Sequence, residues 1–383
     1  MASEGEAPPI SRNFGGFCIQ GVWLDSAHYH PLSAGAVRSI ESYLRARSRD
    51  GSEPNFDTEE VQTAVRALAA RLLNAEPGEF SFVPSATAAE NFVRMALGLT
   101  ASGRIITDQL HFHGSLYHYA RLAKQGVDVR ILAPVDGEIP LRDLHRALEG
   151  GADLVAVSLV SAMNGYVCDL RAVCEIAHEA GALVYADITQ AAGAISIDVK
   201  ASGVDFCACS TYKWLMGDMG LGLLYVRREV FDRLTAPLFG FRQLLPRETD
   251  STGWRTQDSA AGLFEVGTTS NTALAALSHS LTAILDTGVE VIAAHRRPLI
   301  ERLRKEAPGV GLHPITPAHS DGPILAFSHP MARGFAAPLD RARIYVTLYD
   351  DRIRVAPSVF NTERDVEQFL AAVALGPDSV PSL

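Results

Sequence analysis

Cysteine is scarce in this 383-residue chain: there are five, an odd number, with no C-x-x-C spacing and none beyond Cys209. That pattern excludes a disulfide framework and a cysteine zinc site as organising principles, so reduced thiols and a cytoplasmic location are the expectation. Long apolar runs are absent too. No stretch reaches the 18 or so residues of a membrane span, and the leading MASEGEAPPISRNFGG has no apolar h-region of the kind a secretory signal carries. Positive charge is in deficit: 34 Lys and Arg face 44 Asp and Glu, a formal net charge of −10. With no basic stripe to offset the acid, nucleic acid and anionic membrane are poor partners, and a small molecule is the better one. Internal repeats and low-complexity tracts are missing as well.

What is present is a hydrophobic fraction of 47% with 20% charged residues, ordinary for a globular protein with a buried centre. The length suits one large domain plus a smaller one. Apolar runs alternate with helical patterns. Val61, Val65, Leu68 and Leu72 fall on one helical face between Asp57 and Ala75. A strand over Phe80–Val83 precedes a helix over Ala88–Leu97. Strands at Arg104–Thr107, Val129–Ala133 and Leu154–Val160 are then interleaved with helices at Gly114–Lys124, Leu141–Leu148 and Leu170–Ala180. This is the pattern of an α/β protein with a mostly parallel sheet covered on both faces. Leu221–Val226 follows its predecessor after a short loop, which predicts an antiparallel member.

Beyond about Arg242 the alternation stops. A polar, irregular segment over Arg247–Ala261 reads as a loop or linker. Helices follow over Asn271–Asp286 and Val289–Glu306, with short strands near Ile324–Phe327, Ile344–Leu348 and Arg352–Val355. A last helix starts at Thr362, where Thr-x-x-Asp is a capping signal.

The densest chemistry lies in VYADITQAAGAISIDVKASGVDFCACSTYKWLMGDMGLGL. Asp187 sits at the carboxyl end of one apolar run, and Lys213 follows the next, Val204–Cys209, inside Ser-Thr-Tyr-Lys-Trp. Open α/β sheets bind ligands at the carboxyl ends of their strands, so both residues are delivered to one crevice. A carboxylate for a pyridine nitrogen and an amine for an aldehyde are what pyridoxal 5′-phosphate (PLP) requires of its protein. Pro84-Ser85-Ala86-Thr87, between a strand and a helix, supplies free N–H groups and hydroxyls for an anion.

On these residues the chain resembles the class V aminotransferase-like family of PLP enzymes, the fold-type I group with cysteine desulfurases, selenocysteine lyases and isopenicillin-N-epimerase-like proteins. The resemblance runs from Trp23-Leu24-Asp25-Ser26-Ala27 to Val355-Ala356-Pro357. It implies a large domain with a seven-stranded-type sheet and a smaller C-terminal α+β domain. The implied division is 1–22 as an N-terminal segment, 23–245 as the PLP-binding domain, 246–270 as linker and partner-subunit phosphate loop, and 271–383 as the small domain.

The same resemblance makes Lys213 the Schiff-base lysine and general acid/base, and pairs Asp187 with the ring nitrogen. Gln190 would meet the ring O3′. Ser85, Ala86, Thr87, Ser210 and Tyr212 would hold the phosphate. Thr268, in Glu-Val-Gly-Thr-Thr-Ser-Asn, would reach the phosphate of the partner in a homodimer. His113 would stack on the cofactor, with Phe112 competing for that place; a metal on His111 and His113 lacks a third ligand. Asn164 would lie near O3′ and the substrate carboxylate, and Arg354, in Ile-Arg-Val-Ala-Pro, would grip that carboxylate. His28 belongs to a His-Tyr-His cluster placed near the substrate entrance.

One departure decides the expected reaction. Desulfurases carry a nucleophilic cysteine on a loop shortly before the arginine segment, and here that region reads Ile-Tyr-Val-Thr-Leu-Tyr-Asp-Asp. A persulfide relay is therefore disfavoured. The expected activity is β-elimination from an S-substituted cysteine, decarboxylation-coupled in one variant. Epimerisation and transamination are the alternatives, and a non-catalytic PLP-fold binding protein is opposed by the retention of Lys213, Asp187 and Gln190.

Overall fold

The computed structural model describes residues 8–50, 57–245 and 254–377. After a 3-10 turn at Pro9–Phe14 come strand β1 (Val22–Trp23) and helices α1 (Ala34–Asp50) and α2 (Thr58–Leu73). The alternating part runs β2 (Phe80–Val83), α3 (Ala86–Ala96), β3 (Arg104–Asp108), α4 (His113–Ala123), β4 (Asp128–Leu132), α5 (Leu141–Ala147), β5 (Leu154–Ser158), α6 (Leu170–Glu179) and β6 (Leu183–Asp187). It ends with α7 (Val199–Ser202), β7 (Phe206–Ser210) and β8 (Gly222–Val226).

The strands of this alternating part build a seven-stranded sheet in the order β2-β8-β7-β6-β5-β3-β4. Neighbouring pairs from β4 across to β7 are parallel, whereas β8 is antiparallel to both β7 and β2, as the short connection to it requires. Why the central strands read as unbroken apolar runs is visible in their packing. Val155, Val157, Val184, Ala186, Cys207 and Cys209 join one apolar cluster. Leu154, Ala156, Leu183, Tyr185, Phe206 and Ala208 join another. Successive side chains point to opposite faces, so a strand covered on both sides needs apolar residues at every position. The cysteine pair is core.

Side-chain caps set where the helices begin. The carboxylate of Asp57 accepts from the amides of Glu59 and Glu60 at the start of α2, and Ser85 and Asp169 do the same for α3 and α6. Helix α3 thereby starts two residues earlier than the apolar pattern predicts, directly after the Ser85 cap. The buried face of α2 is Gln62, Val65, Ala69, Ala70 and Leu73, with Val61, Leu68 and Leu72 packed at its edge.

The rest of the chain comprises α8 (Ala260–Phe264), α9 (Asn271–Thr287), α10 (Val289–Glu306), β9 (His313–Pro314), β10 (Leu325–Ser328), α11 (Ala336–Arg341), β11 (Ile344–Tyr345), β12 (Thr347–Leu348), β13 (Arg352–Val355) and α12 (Glu363–Ala374). Residues 247–253 of the irregular segment lie outside the described residues. Strands β12-β13-β10-β9 make an antiparallel sheet, and the capping box of Thr362 and Asp365 opens α12.

The strand expected over Ile344–Leu348 is two strands in two sheets. Ile344 and Tyr345 pair with Val22 and Trp23, while Thr347 and Leu348 pair with Arg354 and Ile353. The N-terminal strand β1 is stitched to the C-terminal unit in this way, and Val22 and Leu24 share its core with Leu299, Phe327 and Phe369. Conversely, Leu274, Leu277, Leu281 and Ile284 of α9 pack in the cluster under the large sheet. The apolar core of that sheet thus continues past residue 271.

Candidate active site

The carboxyl ends of β5, β6 and β7 converge on one cleft. Ser158 and Asp187 are register partners on β5 and β6, and Ser210 ends β7. After Asp187 the chain turns sharply, with the Thr189 amide donating to Asp187 Oδ1 at 2.8 Å. The hydroxyl oxygen of Thr189 accepts from the Ser210 amide at 3.2 Å, tying the two strand exits together. Gln190 bridges two elements: its Nε2 donates to the Ala27 carbonyl at 2.9 Å, and its Oε1 accepts from Trp214 Nε1 at 2.8 Å.

Asp187, Thr189, Gln190, Ser210, Tyr212 and Lys213 line one side of the cleft. Across it lie Ser85, Ala86 and Thr87 at the start of α3, with Phe112, Ser158 and Ala162 completing the wall. Ser210 Oγ accepts from the Ala86 amide at 3.2 Å and Ser85 Oγ from the Ala88 amide at 3.1 Å. Two hydroxyls therefore stand at the positive end of an 11-residue helix, which is the donor arrangement an anionic group requires.

Lys213 is 9% exposed, and among the described residues its ammonium has no ion-pair partner. Burial pushes its pKa down to about 8; Asp187 pulls the other way, Arg354 adds to the lowering and Asp25 opposes it. Such an amine is neutral in a useful fraction near neutral pH, as a nucleophile or base must be.

Arg354, on β13, reaches toward the same wall. Its Nη1 donates to the Ala162 carbonyl at 3.0 Å and its Nη2 to Thr347 Oγ1 at 2.8 Å, while Asp25 Oδ1 lies 3.5 Å away. Burial raises the Asp25 pKa, opposed by the Thr347 hydrogen bond and the Arg354 charge. The guanidinium is 4% exposed and is held from three sides, which fixes the direction of its fork.

Two residues expected at the cofactor, His113 and Asn164, do not line the cleft. His113 is the first residue of α4 and its side chain is exposed; the ring facing the cleft is that of Phe112, the residue just before the helix. Asn164 does not line the cleft: its Nδ2 donates to the Gly137 carbonyl at 2.6 Å and its Oδ1 accepts from the Tyr166 amide at 3.1 Å. It holds a turn, and Ala162, two residues earlier, takes the place at the wall. Thr268, expected at the phosphate of a partner subunit, lies exposed in the loop before α9.

His28 is exposed, its ring 5.2 Å from that of Tyr29, and its charge reaches Asp25. His30 is buried. Its ring nitrogens meet the Pro31 carbonyl and Ser358 Oγ, both at 2.8 Å, so it is a core residue that ties the N-terminal segment to the C-terminal unit.

Thr189, Ser158 and Asp25 were given no role by the sequence reading. For Ser158 a signal existed: it ends the strand beside that of Asp187, where ligands sit. For Asp25 none did, because 322 positions separate it from Thr347, its 2.6 Å hydrogen-bond partner.

The chemistry of the donor set fits PLP. The cleft offers a buried amine, a carboxylate 26 residues earlier on the neighbouring strand exit, and a helix N-terminus with hydroxyls.

Comparison with known proteins agrees. The aminotransferase class-V family matches residues 22–344. An "Uncharacterized aminotransferase YcbU" of Bacillus subtilis is 28% identical over 92% of this chain and 93% of its own length. The solved structure of an apo cysteine desulfurase from Thermococcus onnurineus superposes with a TM-score of 0.83, at 24% identity, over 93% of this chain and 94% of its own. A cystine C-S lyase, C-DES, solved with cysteine persulfide, gives 0.81 at 18% identity over 94% and 98%. Helix N-terminus, carboxylate and buried lysine thus meet in a fold whose family spans nearly the whole chain: it belongs to the aminotransferase class-V family and is a pyridoxal phosphate-dependent enzyme.

Proposed function

We propose that the enzyme is a carbon–sulfur lyase acting on an S-substituted cysteine by β-elimination, working as a homodimer in a reducing compartment such as the cytoplasm. The balanced reaction takes R–S–CH2–CH(NH3+)–COO− and water to R–SH, pyruvate and ammonium. PLP, when bound, supplies an electron-withdrawing ring that acidifies the substrate Cα–H.

The chain's own residues supply the rest. Ser85, Ala86, Thr87 and Ser210 at the start of α3 and the exit of β7 would hold the phosphate, with Tyr212 in the same lining. Asp187 would hold a proton at the ring nitrogen, Phe112 would exclude water from the cofactor, and Gln190, which lines the same cleft, would help to hold it. Arg354 orients the α-carboxylate through its fixed fork. Lys213 takes the proton from Cα and, as its ammonium, can return one to the departing sulfur.

The single observation that supports elimination over sulfur transfer is the position of the thiols. None of the five cysteines lines the cleft among the described residues, Cys174, Cys207 and Cys209 are buried, and burial pushes Cys209 up to about 12. Sulfur therefore leaves with its substituent, with no thiol placed to attack it.

The name of the Bacillus relative favours transamination as the second reading, with the proton returned at the cofactor carbon instead. The purified holoenzyme is given S-substituted cysteines, and pyruvate, thiol and keto acid are assayed. Pyruvate with one thiol per turnover supports the lyase. A keto acid that keeps its sulfur substituent sinks it in favour of transamination.

A further inference from the structure

Behind the cleft, outside the set of residues just given roles, lies a fully buried charged cluster. Glu90, on α3, is 2% exposed and His111, after β3, is 0% exposed. His111 Nε2 lies 3.0 Å from Glu90 Oε1, and its Nδ1 lies 2.7 Å from Ser158 Oγ. Tyr119 donates its hydroxyl to Glu90 Oε1 at 2.6 Å, and Ser115 donates to Glu90 Oε2. Ser158, at the other end of the chain of contacts, lines the cleft beside its register partner Asp187.

We infer that Glu90 and His111 are positioning residues for the cofactor cleft, acting through Ser158, whose hydroxyl proton they turn toward the wall that Asp187 shares. This rests on the PLP reading of the cleft.

The argument is one of donors and acceptors. Glu90 accepts two hydroxyl protons and so is spent as a carboxylate, which makes His111 Nε2–H a donor to it. Burial disfavours the charge on each partner. Even so, the His111 imidazolium holds Glu90 below its usual range, and Glu90, with Asp108 and Asp187 adding, holds His111 above its own. An imidazolium carries a proton on both nitrogens, so Nδ1 donates to Ser158 Oγ. The Ser158 proton is then left free to face the cleft. A neutral His111 reverses this, because Nδ1 becomes an acceptor and draws the same proton away.

The groups around the pair are Glu90 on α3, Tyr119, Ser115 and His118 on α4, Asp108 at the end of β3, Tyr185 and Asp187 on β6, and Ser158 on β5. Among the described residues, Glu90, His111 and Ser158 form a hydrogen-bonded path into the cleft.

Ser158→Ala removes the hydroxyl without touching the buried charges, and Glu90→Gln removes the charge that keeps His111 protonated. Each is reconstituted with PLP, and two quantities are read: the dissociation constant for PLP, and the pH midpoint of the visible band. Each variant is expected to bind PLP about 10-fold more weakly and to raise the midpoint by more than ~0.5. The double variant should fall no further than the worse single one, because both act through one hydroxyl.

A normal affinity and midpoint in Ser158→Ala overturns the inference, even if Glu90→Gln is less stable. A Glu90→Gln variant that loses thermal stability but keeps its midpoint assigns the pair a purely structural role and overturns it too. If the wild-type protein shows no visible band, the PLP reading itself has failed and the inference falls with it.

Discussion

At the residue scale, the meeting of Asp187 and Lys213 in one cleft was readable because each follows an apolar run at a strand exit. Asp187 and Lys213 are separated by the short helix α7 and strand β7, and a parallel sheet leaves the exits of β6 and β7 side by side. His113 and Asn164 stand outside the cleft lining for local reasons: His113 is the exposed first residue of α4, and the Asn164 amide is consumed by a turn. Periodicity gives the element but not the direction of a side chain at its first residue.

The lowered pKa of Lys213 yields a first prediction. Apo enzyme should capture PLP at a rate that rises with pH, with a midpoint near 8, because the neutral amine is the nucleophile. Stopped-flow growth of the visible band measures it, and Lys213→Ala should show no band at all. A midpoint near that of free lysine would mean that the amine is not desolvated.

His30 carries a second. Burial lowers its pKa to about 4, with the Pro31 carbonyl opposing. Its folded pKa is depressed below the unfolded value near 6.5, so neutral His30 contributes stability that is present above ~6.5 and lost as pH falls toward 4. Up to ~3 kcal/mol is at stake over that window. Thermal melts from neutral to acid pH should fall steeply in the wild type and less so in His30→Phe, which packs against Phe17 and Phe360 without titrating. Equal slopes would remove His30 as the acid-sensitive group.

At the scale of elements, the mostly parallel direction of the sheet and the antiparallel β8 followed from the alternation and from one short loop. What escaped was any pairing made over long separations. The split of Ile344–Leu348 between two sheets depends on β1, more than 300 residues away, and periodicity has no memory of such a partner. The same holds for α9, whose apolar face suits either unit and is claimed by the large sheet.

The phosphate-side geometry depends on close approach between elements. A Cβ on Gly222, in β8, would stand 2.9 Å from the Cys209 carbonyl oxygen and 3.1 Å from the Ser85 carbonyl carbon. Both obstacles are backbone, so the strand or the Ser85 turn must give way. Gly222→Ala is expected to cost about 1–3 kcal/mol and to weaken PLP binding, because the start of α3 is displaced. Ser85→Ala, in contrast, should cost about 1 kcal/mol through the lost cap with the strand in place. Urea unfolding and PLP titration on both variants separate the two. If Gly222→Ala loses stability and keeps its affinity, the phosphate turn is not coupled to β8.

At the scale of the whole molecule, a single chain leaves Thr268 without a task, and the surface beside it offers one. Phe239 is 86% exposed and Phe241 61%, a pair of aromatic rings that water should not be left to cover. Gly240, between them, lies so close to the Val266 carbonyl that no side chain fits there, so the aromatic segment is pressed directly on the loop that carries Thr268. Gln243 reinforces the contact by donating to the carbonyls of Leu238 and Leu263. A second copy docked on the two rings would therefore bring this loop with it, and with it the Thr268 hydroxyl. Phe239→Asp with Phe241→Asp should convert the protein to a monomer by sedimentation and lower its affinity for PLP in the same step. Thr268→Ala should leave the dimer intact and weaken PLP binding alone. A monomeric wild type, or a dimer untouched by the two aspartates, would separate the aromatic patch from the phosphate loop and leave each cleft complete within its own chain.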